Sequence, residues 1–137
     1  GGKITWHGPG QKIIYILLNL KKRNIDIRKF VFNLEEFIIK SLEEVNISCF
    51  RKKGYVGIWT INKKGQEAKI ASLGLRVSKG IIYHGMSINF NCKLNNFYKI
   101  NPCGINNAVV TSVHELNKDI KSNFLNKILK KKILLFI

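Results

Sequence analysis

Residues 47–90 read ISCFRKKGYVGIWTINKKGQEAKIASLGLRVSKGIIYHGMSINF. Within them, residues 47–51, 55–61, 68–77 and 81–90 are rich in β-branched and aromatic side chains and are separated by turns containing Gly or Asn. Four such runs with short connections predict a mostly antiparallel sheet, with Asn62-Lys63-Lys64-Gly65 as a hairpin loop. Upstream, Ile27, Phe30, Val31, Leu34, Phe37, Ile38, Leu42 and Val45 recur at steps of three and four, while Arg28, Lys29, Glu35, Glu36, Glu43 and Glu44 fall mostly on the other face. That pattern predicts an amphipathic helix. Downstream, residues 94–100 suit a short helix. From Asp119 onward Ile120, Phe124, Leu125, Ile128, Leu129 and Ile133 again keep helical spacing, with Lys121, Lys127, Lys130, Lys131 and Lys132 largely outside. Residues 3–6 are β-prone, His7-Gly8-Pro9-Gly10-Gln11 forces a turn, and residues 12–18 read as a buried strand. The expected class is α+β, a mixed, mostly antiparallel sheet packed against helices. With no repeat, linker or low-complexity tract, residues 1–137 read as a single domain.

The chain carries 24 Lys+Arg against 8 Asp+Glu, a formal charge of +16. Arg supplies only Arg23, Arg28, Arg51 and Arg76, whereas base and phosphate readers lean on the planar guanidinium fork. The excess is therefore either a drift of composition toward Lys or the footprint of an anionic partner. Cys49, Cys92 and Cys103 are odd in number and match no zinc spacing, which suggests reduced thiols in the cytoplasm. Apolar runs such as residues 13–18 and 133–137 are far below the roughly 20 residues that span a bilayer. The chain starts Gly1-Gly2 without Met, so a fragment or processed form is expected.

Cys103 sits on a Pro102-Cys103-Gly104 corner, where a thiol is exposed at the end of an element and a backbone N–H approaches a substrate oxygen. It reads as a nucleophile or as a small buried hydrophobe. A thiol of ordinary pKa is only about 3% thiolate at pH 7, so a nucleophile needs a nearby cation. Candidates are Lys69, His84 and His7. Lys69 interrupts the apolar run Ala68-Lys69-Ile70-Ala71 and is either a solvated edge residue or an inward ammonium able to stabilise a thiolate. For His84 and His7 a satisfied structural histidine is the better reading. Cys49 and Cys92 lie in strand-like stretches and read as structural. The glycines near the N-terminus lack the spacing of a nucleotide loop.

Taken together, Gly1-Gly2-Lys3-Ile4-Thr5-Trp6-His7-Gly8-Pro9-Gly10-Gln11, Ala68-Lys69-Ile70-Ala71-Ser72-Leu73-Gly74, His84-Gly85-Met86-Ser87-Ile88-Asn89 and Asn101-Pro102-Cys103-Gly104-Ile105 resemble, in order and spacing, the four motifs of the bacterial lipoyl(octanoyl) transferases. Thr111-Ser112 extends the resemblance. It implies a fold related to the lipoate and biotin protein ligases and an octanoyl (or lipoyl) transfer in endogenous protein lipoylation. The donor would be octanoyl-acyl carrier protein. The acceptors would be lipoyl domains of 2-oxoacid dehydrogenase complexes and the glycine cleavage carrier protein. Carried over by position, Cys103 is the nucleophile that becomes an acyl thioester, and Lys69 lowers its pKa and moves protons. Gly1, Gly2, Lys3, Ile4, Thr5, Trp6, His7, Ser72, Leu73, Gly74, Gly85, Met86 and Ser87 would line the acyl pocket, with His84 and Gly104 in support. The resemblance implies no metal, cofactor, nucleic acid or membrane partner.

The family usually has an arginine before the double glycine and several dozen residues before that, so the N-terminal part of the family domain is expected to be missing. Ser87 stands where Ala is common, and Cys92-Lys93 where Met-Asp is frequent. The neighbouring readings are an ATP-dependent lipoate–protein ligase, a basic nucleic-acid-binding domain and a cysteine hydrolase with His84 as general base.

Overall fold

The structure, a computed structural model, describes residues 5–99 and 109–136. Its strands are β1 (Gln11–Tyr15), β2 (Leu18–Asn19), β3 (Phe50–Lys52), β4 (Tyr55–Ile61), β5 (Glu67–Ser78) and β6 (Ile81–Asn89). Its helices are α1 (Leu20–Arg23), α2 (Ile27–Glu43), α3 (Val113–Leu116) and α4 (Ser122–Phe136), with a 3-10 turn over Leu94–Lys99. The strands form one sheet in the order β1-β6-β5-β4-β3, and β2 also pairs β6. Each strand pairing is antiparallel, and a parallel bridge joins Lys69 to Val110. The expected α+β class and mostly antiparallel sheet are borne out.

Helix α2 starts where Asp26, in extended backbone, accepts hydrogen bonds from the amides of Arg28 (2.9 Å) and Lys29 (3.1 Å). It ends where Asn46 turns left-handed (φ 58°) and Ile47 N–H donates to Leu42 O. Phe30, Leu34, Phe37, Ile38 and Leu42 are fully buried and pack with Leu125, Ile128 and Leu129 of α4 over one face of the sheet. Truncating Phe37 to Ala removes packing worth about 3–5 kcal/mol. Arg51 fastens the β3 edge to this layer, donating to Glu35 (3.0 Å), Glu36 (2.8 Å) and the Phe32 carbonyl (3.0 Å).

Residues 12–18, expected as one buried strand, are divided. β1 is an edge strand, so Ile14 and Ile16 turn into the helix layer while Tyr15 and Leu17 stay exposed. Thr5 and Trp6 belong to no strand. Trp6 instead stacks edge-to-face on Phe97 (5.3 Å) in a small second cluster with Leu94 and Val110. Helix α4 buries Leu125, Ile128 and Leu129 and leaves Lys127, Lys130 and Lys131 exposed as expected, with Lys132 paired to Glu44, but Phe124, expected on the inner face, is exposed.

Candidate active site

Strand alternation sorts the motif residues into two rows. On β5 and β6 the register pairs are Ala71 with Ile88, Ser72 with Ser87, Leu73 with Met86, Gly74 with Gly85 and Leu75 with His84. Ala71, Leu73, Leu75, Met86 and Ile88 pack into the helix-side core, so Ser72, Gly74, Gly85 and Ser87 belong to the opposite face. Simple counting back from Ser72 would put Lys69 on the helix side. A bulge corrects this: Ile58 faces Ala71 while Trp59 faces Lys69, which leaves Ile70 as an extra residue. Ile70 and Ala71 both enter the core, and Lys69 joins the row of Ser72 and Gly74.

Lys69 is 2% exposed, the inward ammonium rather than the solvated edge residue. Its Nζ is buried and has no hydrogen-bond partner among the described residues, and it lies 5.9 Å from the centre of the Trp59 ring. A buried ammonium without an acceptor is costly, so the site favours an anion beside it. The Lys69 backbone is tied to the segment that follows the Cys103 motif: its N–H donates to Val109 O (2.8 Å), and Thr111 N–H donates to its carbonyl (3.0 Å).

A chain of hydrogen bonds joins two of the sequence motifs to Thr111. His7 Nδ1 lies 3.1 Å from Gln11 Oε1, which also accepts the Gly8 amide (3.2 Å). Gln11 Nε2 donates to Asn89 Oδ1 (3.0 Å), and Asn89 Nδ2 donates to Thr111 O (3.0 Å). Thr111 Oγ1 continues to Glu115 (2.9 Å). Asn89 and Thr111 are buried, so this clasp fixes the first loop, β6 and the strand-like segment on Lys69 as one unit.

Other expected site residues fall elsewhere. Cys103, Gly104, Gly1, Gly2, Lys3 and Ile4 lie outside the described residues. Leu73 and Met86 pack into the core and can only back the pocket. Gly85 is required for packing, since a β-carbon there would collide with the Ile14 carbonyl, whereas Gly74 faces open space. His84 is exposed, has a left-handed backbone (φ 72°) and pairs with Leu75, six residues or about 20 Å along β5 from Lys69. It is therefore not brought beside that ammonium. A cleft of about 630 Å³ opens between the Pro9-Gly10 turn, Phe90 and Ser122, but Lys69 is not among its described lining residues. The other two thiols are quiet: burial pushes Cys49 up to about 12 and Cys92 up to about 11.

Gly57 and Trp59, which belong to none of the four motifs, surround the Lys69 side chain. A glycine inside a strand pattern was the available signal, because it marks a bulge or a close approach.

Comparison with known proteins gives a consistent picture. A model of the lipoyl protein ligase A/B catalytic domain matches residues 1–134. The chain is 45% identical over 123 residues to an octanoyltransferase of Neorickettsia sennetsu, covering 89% of this chain and 59% of that protein. It is 44% identical over 131 residues to an octanoyltransferase of Prochlorococcus marinus, covering 96% and 58%. It thus spans about three-fifths of the length of these curated relatives. Among solved structures, a bi-partite lipoate protein ligase from Thermoplasma acidophilum superposes with a TM-score of 0.75 at 14% identity, covering 99% of this chain and 55% of that one. The biotin protein ligase of Aquifex aeolicus gives 0.66 at 22% identity, covering 92% and 51%. These last two establish a shared fold. With a family match over nearly its whole length and the fold of the lipoate and biotin protein ligases, the chain belongs to the lipoyl protein ligase A/B catalytic domain family.

Proposed function

We propose that this chain is the motif-bearing part of a cytoplasmic octanoyltransferase that moves an octanoyl group from acyl carrier protein to a lysine of a lipoyl domain. The observation that carries the reading is the buried Lys69 ammonium, whose own backbone holds the residues that follow the Cys103 motif. Val109 is six residues beyond Cys103, so the covalent chain keeps the thiol within about 25 Å of Val109. A cation without an acceptor among the described residues matches the need of a thiolate nucleophile.

In the first half-reaction the Cys103 thiolate attacks the donor thioester carbonyl. The tetrahedral intermediate collapses with cleavage of the bond to the carrier's sulfur, and the departing thiolate takes a proton from Lys69. In the second, the neutral acceptor amine attacks the acyl-Cys103 carbonyl, the bond to Sγ breaks, and Lys69 takes the proton the amine releases. Both groups return to their starting forms. Exchange between thioesters is nearly isoenergetic, and formation of the amide drives the second step. The acyl chain runs over the face that bears Ser72, Gly74, Gly85 and Ser87, with Leu73 and Met86 behind it.

The test is intact-protein mass spectrometry of the full-length enzyme after mixing with octanoyl-acyl carrier protein. An octanoyl adduct is expected, and Cys103→Ala should abolish it. Absence of the adduct, or its persistence without Cys103, overturns the assignment.

A further inference from the structure

The sequence motifs account for the two groups proposed to react, but not for what places Lys69. Gly57 lies on β4 with φ +121°, and a β-carbon there would overlap Lys69 Cε, stand 2.7 Å from the Ala71 carbonyl and stand 3.0 Å from Lys69 Nζ. The space normally filled by a side chain is thus the space through which the ammonium passes. Trp59, two residues on and buried, presents its ring to the same Nζ. Its indole N–H is anchored on the Tyr55 carbonyl (3.3 Å), and its ring also has the Lys52 ammonium 4.9 Å from its centre. Lys52 is paired with Glu67, whereas Lys69 has no such partner among the described residues. The β-bulge at Ile58 and Trp59 turns Lys69 toward these two residues.

From this we infer that Gly57 is a positioning residue for the acyl transfer, and that with Trp59 it forms a socket that aims the Lys69 ammonium. The inference rests on the proposed Cys103–Lys69 couple. A residue with any side chain at position 57 pushes Cε and Nζ aside without removing the charge. The thiol then loses part of its stabilisation although both reacting groups remain.

The experiment is a double-mutant cycle in the full-length protein with Gly57→Ala, Lys69→Ala and both together. Each is read by the pH dependence of Cys103 alkylation and by the rate of acylation, with a thermal unfolding midpoint alongside. Gly57→Ala is expected to raise the apparent thiol pKa by about half a unit or more and to slow acylation about 3- to 10-fold. In the Lys69→Ala background it should change neither. A purely structural effect would appear equally in both backgrounds and overturns the inference, as does a folded Gly57→Ala protein with the parental pH profile. Because the backbone at position 57 disfavours alanine, Trp59→Leu is measured in the same cycle. If Gly57→Ala does not fold, the Trp59→Leu profile decides by the same criteria. If Lys69→Ala itself leaves the profile unchanged, the proposed role of Lys69 fails; if it shifts the profile and the socket variants do not, the socket alone fails.

Discussion

Alkylation should distinguish the three cysteines sharply. With thiols pushed up to about 12 and about 11, Cys49 and Cys92 hold little thiolate at ordinary pH. At about pH 7.5 their thiolate fractions are roughly 3 × 10⁻⁵ and 3 × 10⁻⁴, against about 0.1 for a thiol of ordinary pKa. Stronger basicity partly offsets this, since nucleophilicity rises with a Brønsted slope near 0.4–0.5, leaving net disadvantages of about 80-fold and 25-fold. Partial burial slows both further. A Cys103 thiol assisted by Lys69 gains more thiolate, so a short exposure to iodoacetamide should modify one cysteine, and peptide mapping should find it at position 103. Lys69→Ala should narrow the preference by raising the Cys103 thiol by about 1–2 units. Labelling of Cys49 or Cys92 at a rate comparable with Cys103 in the folded protein would refute the burial argument. An unchanged Cys103 profile in Lys69→Ala would refute the coupling.

The buried thiols also predict a weakness in alkali. The folded Cys49 thiol holds a proton that an unfolded thiol begins to release at about pH 8.5–9, so its contribution is complete below that range and fades as pH rises toward 12. The loss is about 4 kcal/mol at most, and Cys49→Ala should flatten the denaturant midpoint plotted against pH over that range. Asn89→Ala breaks the clasp and strands buried partners, and should cost about 1–3 kcal/mol in chemical denaturation; a smaller loss would show that the network is slack. Gly74→Ala adds a methyl to open space and should leave the unfolding free energy within about 0.5 kcal/mol of the parent while raising the KM for octanoyl donor. An unchanged KM would remove Gly74 from the acyl path. His84→Gly should not reduce stability, because the backbone there is already left-handed, and should spare most of the transferase activity; loss of activity would favour a general-base role.

Most of the sheet was legible because its strands announce themselves by composition and turns. Residues 55–61 match β4 at both ends, and β5 and β6 differ from expectation by a residue or so. Helix α2 was legible from periodicity and stops at Glu43, where Asn46 turns the chain. The edge strand was not legible, since Ile13, Ile14, Ile16, Leu17 and Leu18 look alike in sequence whether or not a neighbouring strand covers them. For Lys69, spacing left two orientations open, because alternation alone cannot reveal that β5 carries an added residue relative to β4. The resemblance singled out Lys69, and the bulge explains how it comes to share a face with Ser72 and Gly74. Gly57 escaped because its meaning depends on a side chain twelve residues away. The clasp through Gln11 and Asn89 escaped because a polar pair 78 residues apart leaves no local trace.

The extra residue in β5 makes the position of the ammonium a question of parity. Straightening the bulge with every residue kept would set the lysine against Phe37 and Leu42's layer, whereas deleting Ile70 would leave Lys69, Ala71 and Ser72 in plain alternation with the lysine still on the Ser72 face. Length changes in the 62–66 hairpin loop, where Gly65 stands in open space, carry no such inversion. Descendants of this sequence can therefore vary freely in the size of that loop and can even shed the extra residue of β5, but those that keep it must keep the bulge, or the lysine turns into the core.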